Sequence, residues 1–214
     1  VSALRREVAE VYRDLGRLGL NTGSTGNVSA RTRHGMLITQ TGATAETVNP
    51  DSLIAMALDG TIRKPAGNAG PSSEWAMHAA IYAADPSAQA IVHTHADACT
   101  ALACLNEGLP AFHYMIASFG GEDVRCAPYV TFGTPELAAL ASEALAGRSA
   151  CLLANHGMIV HAASPRQALG AALRLETLCR QYLLARSAGT PRLLTEAEMA
   201  AAMRRFETYA AGKG

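Results

Sequence analysis

Ala90-Ile91-Val92-His93-Thr94-His95 is a short apolar run that ends in two histidines. A run of this length and composition reads as a buried strand. Side chains alternate faces along a strand, so His93 and His95 project to one side and form a chelating pair. Neutral imidazole is a natural zinc ligand, although two polar residues at a strand end also serve as hydrogen-bonded structural groups. The pair alone leaves both readings open.

Upstream of this strand, Leu4, Val8, Val11, Leu15 and Leu18 recur at three-to-four spacing, which predicts a helix over Ala3–Leu18. Gly19 and the run Asn21–Asn27 end it. Met36–Thr39 and Ile54–Leu58 read as short strands of a hairpin-like element, the second closed by the turn signal Asp59-Gly60. Lys64–Ser73 contains Pro65, Gly67, Gly70 and Pro71 and is read as a loop. It leads through Ser72 and Ser73, both good N-cap types, into a helix over Glu74–Ala83.

Downstream, a helix capped by Asp97 runs to about Leu105, and another opens at Thr134 and covers Pro135–Leu145. Ala150–Ala154 is a short apolar strand ending at Asn155-His156-Gly157. A long alanine-rich helix runs from Pro165 toward Ala188, and Glu196–Tyr209 follows a Thr195/Glu198 capping box. Strands and helices interleave, which predicts a three-layer α/β/α fold with its chemistry on loops at strand ends. With no internal repeat or linker, residues 1–214 are expected to form a single domain.

Composition narrows the partners. The 214 residues are 49% hydrophobic and 17% charged, with 18 basic and 18 acidic residues, so no basic surplus exists to neutralise a nucleic acid or an anionic membrane. A small molecule is the expected partner. No leader-like or membrane-spanning apolar run is present, and the cytoplasm is the expected location. Cys99, Cys104, Cys126, Cys151 and Cys179 are scattered and lack a CxxC pair, so they read as mostly buried free thiols.

His156 ends the strand after the His93/His95 pair, and Glu74 stands at the start of a helix, where a carboxylate is also favoured by the helix dipole. Three histidines and a carboxylate match a catalytic zinc shell. Gly23-Ser24-Thr25-Gly26-Asn27 has the composition of a phosphate cradle, although a glycine-rich turn after a helix is more often a plain turn. Ser72 and Ser73 are helix caps whose geometry also suits an anion.

The motifs Gly23-Ser24-Thr25-Gly26-Asn27, Pro71-Ser72-Ser73-Glu74, His93-Thr94-His95 and Asn155-His156-Gly157, in this order, resemble the class II aldolase/epimerase (aldolase II/adducin head) family. The similarity also runs through Leu18–Asn21, Met36–Thr39 and His113–Ile116 to Phe206 and Tyr209, nearly the full length. It is greatest to the family's fuculose-phosphate aldolases. The resemblance implies a mainly antiparallel central sheet and one Zn2+ per subunit, held by Glu74, His93, His95 and His156. It makes Glu74 the general base as well as a ligand, and Tyr114 the proton donor, reaching in from a neighbouring subunit of a homotetramer.

It further places Ser24, Thr25, Asn27, Thr41, Gly42, Ser72 and Ser73 around a substrate phosphate. Phe132 and Tyr209 resemble residues of a lid over the aldehyde end. Ser24 stands where these aldolases usually carry threonine, which keeps the hydroxyl. The implied activity is reversible cleavage of a ketose 1-phosphate, of the L-fuculose 1-phosphate kind, to dihydroxyacetone phosphate and an aldehyde such as L-lactaldehyde. The same zinc site also serves epimerases, dehydratases and decarboxylases, and the adducin head shares the fold without catalysis. The epimerase pattern has aspartate in place of Glu74 and an acid near Ser118; both are missing here. His34, His78, His113 and His161 match no family ligand and are read as structural.

Overall fold

The computed structural model describes residues 2–64 and 69–210. Its centre is an eight-stranded sheet of β1 (Asn27–Thr32), β2 (Gly35–Ile38), β3 (Ile54–Met56), β4 (Ile62–Lys64), β5 (Ala90–Thr94), β6 (Arg125–Ala127), β7 (Ala150–Leu153) and β8 (Gly157–Ala162). The spatial order is β4-β3-β2-β1-β5-β8-β7-β6. Every pairing is antiparallel except β6–β7 at one edge, so the sheet is mixed but mainly antiparallel.

Helices cover both faces, as the interleaved pattern predicts. On one side α1 (Ala3–Arg17), α3 (Asp97–Ala103) and α5 (Pro165–Ala188) bury Val8, Leu15, Leu102 and Leu175 against Val28, Val92 and Val160 of the sheet. On the other, α2 (Trp75–Ala84) and α4 (Pro135–Ala144) bury Met77, Ile81, Leu137 and Ala141 against Ile38, Ile91 and Ile159. The alternation of Val92 and Ile91 between the two cores is the strand periodicity expected of a doubly covered sheet. The last helix, α6 (Glu196–Ala210), packs on a 3-10 helix at Tyr114–Phe119.

Several boundaries differ from the sequence reading, each for a local reason. Leu18 is the C-cap of α1 and 51% exposed, so the buried stripe stops at Leu15 and Gly19 (φ +71°) turns the chain. Glu74 is not in the first turn of α2 but stands, in place of Ser72 or Ser73, at its N-cap position without a side-chain cap bond: Ser72 N–H still donates to Thr39 O (3.0 Å), which holds the loop extended and delays the helix to Trp75. Asp97 does not cap α3; the buried Glu176 carboxylate of α5 accepts from the Ala98 and Cys99 amides at 2.9 Å each. Thr134 and the Thr195/Glu198 box do cap their helices.

Strands β1, β4, β6 and β8 add to those read from sequence. Of the cysteines, Cys99, Cys151 and Cys179 are buried, whereas Cys104 is exposed and Cys126 half-buried. Among the described residues no helix is long and apolar enough to cross a membrane. Residues 65–68 of the loop read over Lys64–Ser73 lie outside the described residues.

Candidate active site

Strand β5 delivers His93 and, just past its end, His95. Their Nε2 atoms lie 3.1 Å apart, as the alternation of a strand requires. The β7–β8 hairpin delivers His156 from its three-residue loop. Asn155 takes the left-handed conformation (φ 54°), which asparagine tolerates, and His156 N–H donates to Leu153 O (3.0 Å). Gly157 is dictated by close approach, since a Cβ there would lie 2.4 Å from Thr94 O and 3.1 Å from His95. Gly157→Ala is therefore expected to destabilise the fold by about 1–3 kcal/mol through overpacking. Thermal denaturation checks this; an unshifted midpoint would show that the hairpin does not pin β5.

Glu74 enters from the start of α2. Its Oε2 lies 3.2 Å from His93 Nε2 and its Oε1 3.2 Å from His156 Nε2. The three imidazole centroids are 4.8–5.0 Å apart. His93 Nδ1–H donates to Met158 O (2.8 Å), and because a carbonyl only accepts, the Nε2 lone pair faces the cluster. Glu74 Oε1 is buried and, despite the nearby His156, makes no hydrogen bond. An orphaned carboxylate oxygen is costly unless a cation completes it. One ligand atom from each of the four residues lies within 4.8 Å of the rest. Bonds of 2.0–2.1 Å to a tetrahedral ion space its ligands by about 3.3–3.4 Å, close to the short separations here, so the donor set fits a divalent metal.

Burial favours the neutral form of Glu74, but the adjacent His93 and His156 outweigh it and hold the carboxyl well below the usual range. Burial likewise opposes the charge on His93, yet Glu74 overrides it and raises its pKa. His95 is pushed down to about 4 by burial and then by His93 and His156.

Above the cluster opens a cavity of about 340 Å³. Ser24, Thr25, Asn27, Thr41, Gly42, Ser72, Ser73 and Phe132 all line it together with Glu74, His95 and His156, while His93 lies fully buried beneath. Among the described residues its lining holds hydroxyls and amides but no lysine or arginine. Two features join the loops that form it. Tyr12 OH donates to Ala43 O (2.7 Å) and lies 3.3 Å from Thr25 O, tying the 23–27 and 41–43 turns to α1. Gln40 bridges to Pro71 in antiparallel fashion, pairing Thr41 with Gly70 and Thr39 with Ser72 and so joining the two loops.

Asn27 is 2% exposed, and its amide is committed: Nδ2–H donates to Glu74 Oε2 (2.9 Å). Tyr114 does not line the cavity. It is 54% exposed and stacks on His113 (4.8 Å) and on Phe206 of α6 (6.2 Å). Tyr209 falls within α6, and its side chain lies outside the described residues. The cavity also includes Gln40, Tyr129, Val130 and Asn155, to which the sequence reading gave no role. Tyr129 precedes Phe132 by three residues in a Pro- and Gly-bounded loop, the one signal that could have marked it.

Comparison with known proteins follows this geometry. Residues 6–183 match the family model described as the class II aldolase and adducin N-terminal domain. The chain is 42% identical over 207 residues to the 5-methylthioribulose-1-phosphate/5-deoxyribulose-1-phosphate aldolase of Rhodospirillum rubrum, covering 97% of this chain and 92% of that protein. It is also 42% identical over 207 residues to the L-fuculose phosphate aldolase of Escherichia coli K12, covering 96% and 95%. A solved L-fuculose 1-phosphate aldolase superposes with a TM-score of 0.92 at 36% identity, covering 97% of this chain and 98% of that one. With the family pattern, the fold and a Glu/His3 cluster in agreement, the chain belongs to the class II aldolase and adducin N-terminal domain family.

Proposed function

We propose that this chain is a single-domain, zinc-dependent aldolase that reversibly cleaves a ketose 1-phosphate to dihydroxyacetone phosphate and an aldehyde. The observation that carries the reading is the Glu74/His93/His95/His156 cluster at the floor of a cavity rimmed by hydroxyl and amide donors. L-fuculose 1-phosphate, giving L-lactaldehyde, is the substrate kind we assign. The relatives named for L-fuculose phosphate and for 5-methylthioribulose 1-phosphate match equally well, so a 5-deoxy or methylthio ketose phosphate is the second reading.

A divalent cation held by the four residues would polarise the substrate carbonyl and acidify the adjoining C–H. Glu74 takes that proton; its carboxylate is already ionised and stands in the cavity wall. Ser24, Thr25, Thr41, Gly42, Ser72 and Ser73 bind the phosphate through hydroxyl and amide donors. Asn27, at the base of the same group, orients Glu74. Phe132 and Tyr209 cover the aldehyde end and exclude water. Tyr114 protonates the aldehyde oxygen from a neighbouring subunit, which agrees with its exposure away from the cavity of its own chain. A homotetramer working in the cytoplasm completes the reading.

The deciding experiment is incubation of zinc-loaded protein with a panel of ketose 1-phosphates. Dihydroxyacetone phosphate is the expected product; an epimer or carbon dioxide in its place would overturn the assignment. Zinc uptake should also depend on pH. Burial opposes a proton on His93 but Glu74 outweighs it and favours one, and a cation bound by this cluster must displace any such proton. Affinity should therefore rise with pH as His93 loses that proton, with protons released on binding. Calorimetry in buffers of different ionisation enthalpy measures it, and pH-independent binding would contradict the ligand role of His93.

A further inference from the structure

Glu74 at the N-cap of α2 and His78 and Tyr82 within it fall at four-residue spacing and so share one face. Three residues of β1, Asn27, Ser29 and Arg31, alternate onto one face of the strand and meet them. The contacts form one line. Asn27 Nδ2–H donates to Glu74 Oε2 (2.9 Å), Asn27 Oδ1 meets His78 Nε2 (2.5 Å), His78 Nδ1 meets Ser29 Oγ (2.7 Å), and Ser29 Oγ meets Tyr82 OH (2.8 Å). Ser29 and His78 are wholly buried, with Tyr82 at 1% and Asn27 at 2% exposure. The Arg31 guanidinium closes the far end, 4.7 Å above the Tyr82 ring and bonded to the Tyr82 and Asp85 carbonyls.

The direction of the whole line is set at one end. An ionised carboxylate only accepts, so the Asn27 NH2 must face Glu74 and its Oδ1 must face His78. His78 then carries its proton on Nε2, Ser29 donates to the bare Nδ1, and Tyr82 donates to Ser29. Every member has a partner, which is the condition under which a buried polar line rigidifies its surroundings.

We infer that His78 is a positioning residue for Glu74: held by Ser29 and Tyr82 in one tautomer, it locks the Asn27 amide, which fixes the carboxylate that faces the three histidines. His78 is not itself part of the cavity lining, and its link to the site is the contact with Asn27. It acts through Asn27, whose Nδ2–H holds one oxygen of the Glu74 carboxylate. Buried outer partners of this kind typically tune metal affinity by about 10–100-fold.

The inference rests on Glu74 as a metal ligand, and its test reads zinc rather than catalysis. Zinc affinity is measured by competition with a chromophoric chelator for the full chain and for His78→Leu and His78→Gln. His78→Leu should bind zinc about 10–100-fold more weakly. His78→Gln, whose amide nitrogen reaches the place of Nε2 and donates to Asn27, should recover most of that loss; a merely structural role would show no such rescue. If His78→Leu fails to fold, Ser29→Ala replaces it, with the same direction of effect. Independently, 1H–15N spectra of the unmodified protein should show His78 protonated at Nε2 and bare at Nδ1. Equal zinc affinity in wild type and His78→Leu, or a proton on Nδ1, overturns the inference alone. Wild-type protein that takes up no zinc overturns it together with the metal reading of Glu74.

Discussion

Glu74→Gln is expected to lower solvent-proton exchange into dihydroxyacetone phosphate by about 10³-fold or more, the range lost when a general base is removed. The substitution keeps the shape of the side chain and one oxygen. That oxygen can still accept from Asn27 Nδ2, which lies 2.9 Å from Glu74 Oε2. The cluster should therefore survive with weakened zinc binding, and phosphate binding should change little, because the hydroxyl-lined end of the cavity is untouched. Following deuterium incorporation by NMR, alongside metal content and dihydroxyacetone phosphate affinity, separates the three effects. Exchange at the wild-type rate in a metal-loaded Glu74→Gln protein would end the assignment of Glu74 as base.

His156→Ala is expected to remove bound metal and to reduce cleavage by at least about 10³-fold, since the donor set of four residues loses one and Glu74 Oε1 loses its neighbour at 3.2 Å. The fold should persist. His156 sits in the loop of a hairpin rather than in a core, and the strands on either side keep their pairing. Elemental analysis, circular dichroism and cleavage assays on one preparation check this. Full metal content in a folded His156→Ala protein would remove His156 from the ligand set.

The residues brought together at the site were legible wherever their chemistry was local. His93 and His95 follow from strand alternation within five residues, and their Nε2 atoms do converge. His156 could be placed at a strand end in a loop over the sheet's edge, but not the strand β8 that follows at once, because its register depends on pairing with β5. Strand β1 was missed for a related reason. Asn27 and Ser29 are polar, so the segment lacks an apolar face on one side; that face is buried by the polar side chains of α2 instead of by a core.

The spacing of Glu74, His78 and Tyr82 was present in the sequence, yet an all-round apolar helix such as α2 hides a polar stripe until its partner strand is known. The cap of α3 was unreadable in principle: Glu176 lies 78 residues from the amide it accepts. Tyr114 and Phe132 were named by resemblance. Their places differ, Phe132 lining the cavity of its own chain and Tyr114 standing outside it.

The central claim is that Glu74, His93, His95 and His156 together hold one divalent cation. Anomalous diffraction collected on both sides of the zinc edge, from crystals grown with zinc, tests it directly. One peak per chain is predicted, in contact with an oxygen of Glu74 and Nε2 of all three histidines. A protein without a peak at this position, or with its peak on other residues, would contradict the account.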